Sequence, residues 1–204
     1  ALSIWSKLTM HESLNKNLVL VKEHTGVFKA ANNYDIYDPE TGEITLLCRE
    51  DNLGSVIKLL RFTKYKRQTP FDVRITTPDG QPLIRVTRGV TFLRSHVTVL
   101  DGEGVLVGSF KQKLLAVGGA FAVLDKDDNV ICSLVGKWTG WDFRFAAGDT
   151  EFAHVTKKWA GMGKEFFTSA DNYVLQISDA VPPNNRVRQL ILAAVMCIDM
   201  VLKD

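Results

Sequence analysis

Four histidines could hold a transition metal, but His11, His24, His96 and His154 share no i, i+4 spacing and form no H-E-x-x-H. A zinc-peptidase centre is excluded on that ground. No G-x-S-x-G elbow presents a nucleophilic serine. Gly161-Met162-Gly163-Lys164 has the end of a phosphate loop. It lacks the upstream glycine, and Glu165 stands where Ser or Thr would bind magnesium. Gly102, Gly104 and Gly108 fall in a hairpin pattern and not at a strand-to-helix turn, so they do not read as a dinucleotide loop. Asp125, Asp127 and Asn129 open like a calcium loop, yet Val130 takes the position that needs Gly and Gly136 the position of the bidentate Glu. A β-turn accounts for them better. The residues therefore point to no enzyme of a conventional type and require no cofactor.

Charge concentrates in one place. Lys58, Arg61, Lys64, Lys66 and Arg67 form a dense basic run with Phe62 and Tyr65 between them. Such a run is either a solvated face or strand edge, or a contact for anionic phosphate such as lipid headgroups at a membrane surface. Over the whole chain 25 Lys and Arg balance 23 Asp and Glu, a net charge of +2. That balance argues against a nucleic-acid partner. Cys48, Cys132 and Cys197 show no C-x-x-C spacing, and an odd count does not make a disulfide framework. They read as buried thiols in a reducing compartment. The first residues lack the apolar stretch of a signal peptide, so a cytoplasmic location is expected.

These residues must be positioned by a β-rich scaffold. At 204 residues with 46% hydrophobic content the chain can bury a sizeable core. Turn signals recur at 38–42, 78–80, 101–104, 125–129 and 148–149, where Gly, Asn and Asp allow positive φ or bond their own backbone. Between them the period is two. Phe71, Val73 and Ile75 alternate with Asp72, Arg74 and Thr76, and Trp141, Phe143 and Phe145 with Asp142 and Arg144. Tyr173, Leu175 and Ile177 alternate with Asn172, Val174 and Gln176. Each such strand should have one dry and one wet face.

Two stretches read as helical, 52–61 and the C-terminal segment from Arg186 to Leu202. Asn185, after Pro182-Pro183-Asn184, is the expected N-cap. From Leu190 to Leu202 every residue but Asp199 is apolar. A helix apolar on all sides must be surrounded, and spanning a bilayer takes roughly 20 apolar residues. This run is shorter, so it is expected inside the protein with the sheet curled into a barrel around it. Without linker, repeat or low-complexity tract, residues 17–204 read as a single domain, preceded by an N-terminal segment, 1–16, with helical character.

The stretch from Val155 to Tyr173, V-T-K-K-W-A-G-M-G-K-E-F-F-T-S-A-D-N-Y, resembles the phospholipid scramblase family. That family carries K-x-W-x-G, then E-x-F-T-x-A-D-N-aromatic, before its final apolar helix. The C-terminal helix, with Asp199 inside its apolar run, and Lys137-Trp138-Thr139-Gly140-Trp141 are similar as well. The resemblance covers 17–204 and implies the fold shared with Tubby-like and LURP-one-related proteins, a closed antiparallel barrel of about twelve strands around a buried C-terminal helix. It implies either phospholipid scrambling or a Tubby-like module that binds anionic phosphoinositide headgroups or a protein partner without catalysis. The expected partner is an anionic phospholipid membrane surface, met peripherally without a transmembrane segment. It also implies a calcium site at Asp171, Asn172 and Asp179. The segment departs from the family there: Val174 replaces a Gly, and Asp179 is the one acidic residue between Asp171 and Pro182. Calcium takes six or more oxygens.

Overall fold

The computed structural model describes residues 9–24, 33–50, 54–60, 62–63, 68–90, 95–113, 121–137, 141–157 and 172–198. A 3-10 helix, Glu12–Asn15, leads into β1 (Leu18–Glu23), β2 (Tyr34–Tyr37) and β3 (Ile44–Arg49). The short helix α1 (Ser55–Leu60) precedes β4 (Phe71–Thr76), β5 (Pro82–Arg88), β6 (His96–Asp101) and β7 (Leu106–Gln112). Then come β8 (Phe121–Asp125), β9 (Val130–Lys137), β10 (Asp142–Ala147), β11 (Thr150–Thr156), β12 (Asn172–Ile177) and α2 (Val187–Cys197). Each strand pairs antiparallel with its neighbours in sequence, and β1 pairs with β12 to close a twelve-stranded barrel.

Alternation drives the closure. In β4, Phe71, Val73 and Ile75 are buried while Asp72, Arg74 and Thr76 face outward. Phe143 and Phe145 of β10 do the same. The inward side chains meet α2, whose Leu190, Ile191, Ala193, Ala194, Val195 and Met196 are all buried in the same core. A helix wetted on no side has been given a surround of strands on every side.

The five tight turns lie at one end and share a construction. Each carries a residue of positive φ: Gly42, Gly80, Gly104, Asp128 and Gly148. In each hairpin the register shifts beside the turn, between Ile36/Tyr37, Ile75/Thr76, Val99/Leu100, Val123/Leu124 and Phe145/Ala146. A left-handed turn residue followed by a bulge tightens twist and bends the strand pair. Five such bends in one tier curl this end, here called the turn end, around the start of α2. Asp128 serves without glycine because Asp tolerates the left-handed region. The Oδ1 of Asp125 accepts from the N–H groups of Asp127 and Asn129 at 2.9 Å each. Those two groups are parts of a turn, as the sequence suggests, and the donors, that of Asn129 foremost, hold the Asp125 carboxyl below its ordinary pKa.

Two details differ from the sequence pattern. In β12 both faces are dry: Asn172, Tyr173, Val174 and Leu175 are all buried. Val174 pairs with Leu20 of β1, also buried, and both lie apart from the central core. The closing seam is thus covered on its outer side as well, and its continuous apolar runs (Val19-Leu20-Val21, Tyr173-Val174-Leu175) are the mark of such strands. At α2, the capping position is Arg186, and Asn185 acts one residue earlier, its Oδ1 accepting from the Val187 N–H at 2.9 Å.

Arg188 is buried in the first turn of α2, where the helix dipole disfavours a cation. Its guanidinium donates to the carbonyls of Pro182 (3.0 Å), Val181 (2.6 Å) and Lys16 (3.4 Å), and to Asn17 Oδ1 (2.7 Å). Asn17 in turn donates to Asp179 Oδ1 at 3.0 Å. The charge thereby ties the helix, the turn before it and the chain entering β1 into one knot. Burial alone pulls its pKa down, with Asp179 opposing from a distance.

The fit of helix to barrel is tight at Gly108. A Cβ there would lie 2.2 Å from the Leu124 carbonyl oxygen and 3.0 Å from Leu190 Cδ2. Gly89, by contrast, has nothing within 4 Å of that position. Gly108→Ala is expected to lower the unfolding free energy by about 2 kcal/mol or more, with Gly89→Ala within about 0.5 kcal/mol of the parent. Chemical denaturation of the three proteins checks the contrast.

Candidate lipid-facing rim

The end opposite the tight turns, the loop end, carries the long connections, among them 24–33, 50–70 and 157–171. Helix α1 lies in the second of these. The sequence gives it because Ser55-Val56-Ile57-Lys58-Leu59-Leu60 holds no breaker, and it stops in turns where Phe62 and Thr63 N–H groups donate to the Leu59 and Leu60 carbonyls at 3.1 Å. Apolar side chains face solvent here: Leu59 of α1 is 69% exposed, and Phe62, in the turn that follows, 57%. Val90, in the neighbouring connection from β5 to β6, is 60% exposed at the same end. Lys58, beside Leu59 in α1, is exposed as well. Cation and protruding apolar side chains together are the composition of a surface that enters a lipid interface.

Of the basic run, Lys58 is the residue described; Arg61, Lys64, Lys66 and Arg67 lie outside the described residues. Leu59 and Val90 carried no sequence signal, because only the barrel's topology shows that the two connections share an end.

The ends of the family-like stretch meet at a third connection of this rim. Lys157 Nζ sits 4.0 Å from the Trp141 ring centroid, and Trp141 stacks on Tyr173 with centroids 5.2 Å apart and planes 1° from parallel. Trp141 holds φ at +48°, a costly conformation for a bulky residue that its neighbours must fix. The intervening 158–171 lie outside the described residues, as does Asp171.

Asn172 and Asp179 are not brought together. Asn172 opens β12 at the loop end and Asp179 follows it at the turn end, so the extended strand holds them roughly 20 Å apart. Among the described residues no three His, Cys, Asp or Glu side chains cluster as metal ligands. Cys48 and Cys132 are buried free thiols; burial pushes Cys132 up to about 12 and Cys48 higher still, so neither is a nucleophile.

The outer wall beside the rim is pinned by an ion network the sequence does not announce. Asp35 accepts from His24 Nε2 at 2.7 Å and from Arg49 Nη2 at 2.6 Å, and Arg49 also donates to the Tyr34 carbonyl at 2.7 Å. Burial would raise the Asp35 pKa, but the His24 and Arg49 bonds outweigh it and hold the carboxyl below its ordinary value. A depressed folded pKa stabilises fully above the unfolded value, near 3.9, and the contribution vanishes as pH falls through the folded pKa. Stability is therefore expected to drop on acidification below about pH 4. Asp35→Asn should lower stability at neutral pH and make the acid limb shallower, as read by urea unfolding across pH 2–7.

Residues 13–202 match the family model described as Scramblase. "Altered inheritance rate of mitochondria protein 25" of Saccharomyces cerevisiae (strain ATCC 204508 / S288c) is 25% identical over 174 residues, 73% of this chain. The chain spans about half of that relative, 53% of its length. An X-ray structure of a protein from Arabidopsis thaliana, 14% identical, superposes with a TM-score of 0.52 over 96% of this chain and 99% of the other, a likeness of fold alone. Among the described residues no helix is long and apolar enough to cross a membrane. With the family model covering nearly the whole barrel and its final helix, the chain belongs to the scramblase family.

Proposed function

We propose that this protein works at the surface of anionic phospholipid membranes, docking through the loop-end rim and engaging headgroups with Lys58, Arg61, Lys64, Lys66 and Arg67. The observation that carries the reading is the exposure of Lys58, Leu59 and Phe62 in the β3–β4 connection, with Val90 exposed at the same end of the barrel. Apolar side chains entering the interface add to the attraction of cations for anionic lipid, about 1 kcal/mol per charge near the surface. Membership of the scramblase family supports a lipid-related function. Nothing in the family or the fold points to catalysis.

A second reading, phospholipid scrambling by the protein itself, rests on the family. Against it stands the interior: α2 packs into an apolar core that, among the described residues, offers a headgroup no polar path. A bilayer core is about 30 Å thick, so a headgroup needs a continuous polar route. Calcium, which the resemblance places at Asp171, Asn172 and Asp179, enters as a variable of the test, although Asn172 and Asp179 stand at opposite ends of β12.

Co-sedimentation with phosphatidylserine and phosphoinositide vesicles separates the readings. Binding is expected at low salt and should weaken as salt rises. Phe62→Ser and Lys58→Glu should each weaken it roughly tenfold. Binding indifferent to salt and to both substitutions would remove the rim from the mechanism. Flip of labelled lipid in proteoliposomes above the protein-free rate, with or without calcium, would favour scrambling.

A further inference from the structure

The outward faces of β3, β4 and β5 carry a row of arginines. Arg49 stands directly across from Arg74, and Arg74 directly across from Arg85. All three lie on the wet side of the sheet, since their strand neighbours Cys48, Val73, Ile75, Ile84 and Val86 are buried in the core. Like charges directly opposite each other on a sheet destabilise it. Two of the three are compensated. Arg49 Nη2 donates to Asp35 Oδ1 at 2.6 Å, and Arg85 grips Asp72 with Nε at 2.9 Å and Nη2 at 2.6 Å.

Arg74, in the middle, is exposed and makes no hydrogen bond or ion pair among the described residues. Asp72, two residues before it on the same face, is spent on Arg85; that bond foremost holds its carboxyl below the ordinary pKa, with the Arg74 charge contributing least. Three guanidinium groups against two carboxylates leave the row one positive charge. The fold does not require it, because Thr at such a wet strand position would bring no repulsion. A local rule broken without structural gain marks a surface in use. Apolar side chains border the row: Leu47, across from Thr76, and Leu100, across from Arg85, both point outward and are half-buried. Arginine among apolar neighbours is the composition of an interface centre.

We infer that this wall binds an extended acidic segment of a partner protein, with one Asp or Glu carboxylate closing on Arg74 and an apolar residue of the same segment on Leu47. The carboxylate would do for Arg74 what Asp35 and Asp72 do for its two neighbours. Leu47 is the diagonal neighbour of Arg74, roughly 7–8 Å away, which residues i and i+2 of an extended chain span. The surplus of one charge matches a single carboxylate, whereas a phosphate dianion would bring two charges against one beside Asp72. Orientation also separates the row from lipid. Outward side chains of a strand point across the barrel axis, while the rim points along it, and Arg74 lies three residues, roughly 10 Å, from the loop-end start of β4. A chain docked through its rim keeps this wall open, so the inference does not depend on the membrane reading.

The test is a titration of the full chain with acetyl-Leu-Thr-Glu-Thr-Leu-amide at low salt, followed in 15N–1H spectra. Saturable shifts are expected at the Arg74 Nε–H and at the backbone N–H groups of Leu47, Arg49 and Arg85, with a dissociation constant on the order of 1 mM. Arg74→Gln, or Gln for Glu in the peptide, should each weaken binding about fivefold, the worth of a well-formed exposed ion pair. Arg74→Gln removes a repulsion and no internal bond, so its urea midpoint should equal or exceed the parent's. A lower midpoint would mean that the arginine serves the fold, and overturns the inference. Absence of shifts at Arg74 up to peptide solubility, or equal affinity for the Gln peptide, overturns it too. Inorganic phosphate binding the row more tightly than the peptide, or phosphatidylserine vesicle binding that falls as far in Arg74→Gln as in Lys58→Glu, would assign the row to phosphate instead.

Discussion

Everything in this molecule follows from a helix that is apolar on every side. Leu190, Ile191, Ala193, Ala194, Val195 and Met196 can be satisfied only by apolar neighbours all around. A flat sheet covers one side of a helix; a closed one covers all. The β1–β12 pairing that closes the barrel is therefore the structural counterpart of the helix's composition. Its strands are buried on both faces over residues 19–21 and 172–175, which strengthens the join where the two ends of the strand order meet. Arg188 then resolves the remaining conflict. The helix must enter from solvent, and a cation in its first turn, with its donors spent on carbonyls of Lys16, Val181 and Pro182, marks where the polar lead-in ends.

The same closure makes the two ends of the barrel unlike. At the turn end five short hairpins repeat one device, a left-handed residue with an adjacent bulge. Repetition there leaves little room for variation. At the loop end the connections are long, and one of them holds α1 with its exposed Leu59 and, just after it, the exposed Phe62. A rigid scaffold that presents its variable connections on one side is the usual division between stability and recognition. The Lys157–Trp141–Tyr173 stack sits at that border and holds both ends of the family-like stretch against a strained Trp141 backbone.

Much of the fold was legible because its signals are local. Period-two runs such as Phe71-Val73-Ile75, turn residues at 38–42 and 78–80, and the apolar tail each state their own structure within a few residues. Asp128 in a glycine's role and Asn185 capping from one position early are small departures with the same chemistry. The dry outer face of β12 was misread, since alternation alone cannot tell a wet face from one that is covered. The site was less legible for a different reason. Lys58 and its basic neighbours are visible as a charge run, but the exposure of Leu59 and Val90 is set by which connections share an end. The Asp35 network joins three strands, and Arg74 meets Arg49 and Arg85 only across the sheet; no window of sequence contains either set.

The filled interior also constrains how such a barrel could act on lipid. If α2 left the barrel for a bilayer, its own apolar surface would stay buried, now in hydrocarbon. The strands would gain nothing. Val73, Val86, Val99, Phe110, Phe143 and Leu175, all fully buried around the helix, would line an open space or face water. At about 1.5–3 kcal/mol for each large apolar side chain exposed, six of them already match the 5–15 kcal/mol by which a domain is stable. Extraction of the helix is thus equivalent to unfolding the barrel. A lipid-directed activity compatible with the folded protein acts from its outer surface, and the proposed rim around α1, with Lys58 beside the exposed Leu59, meets that condition.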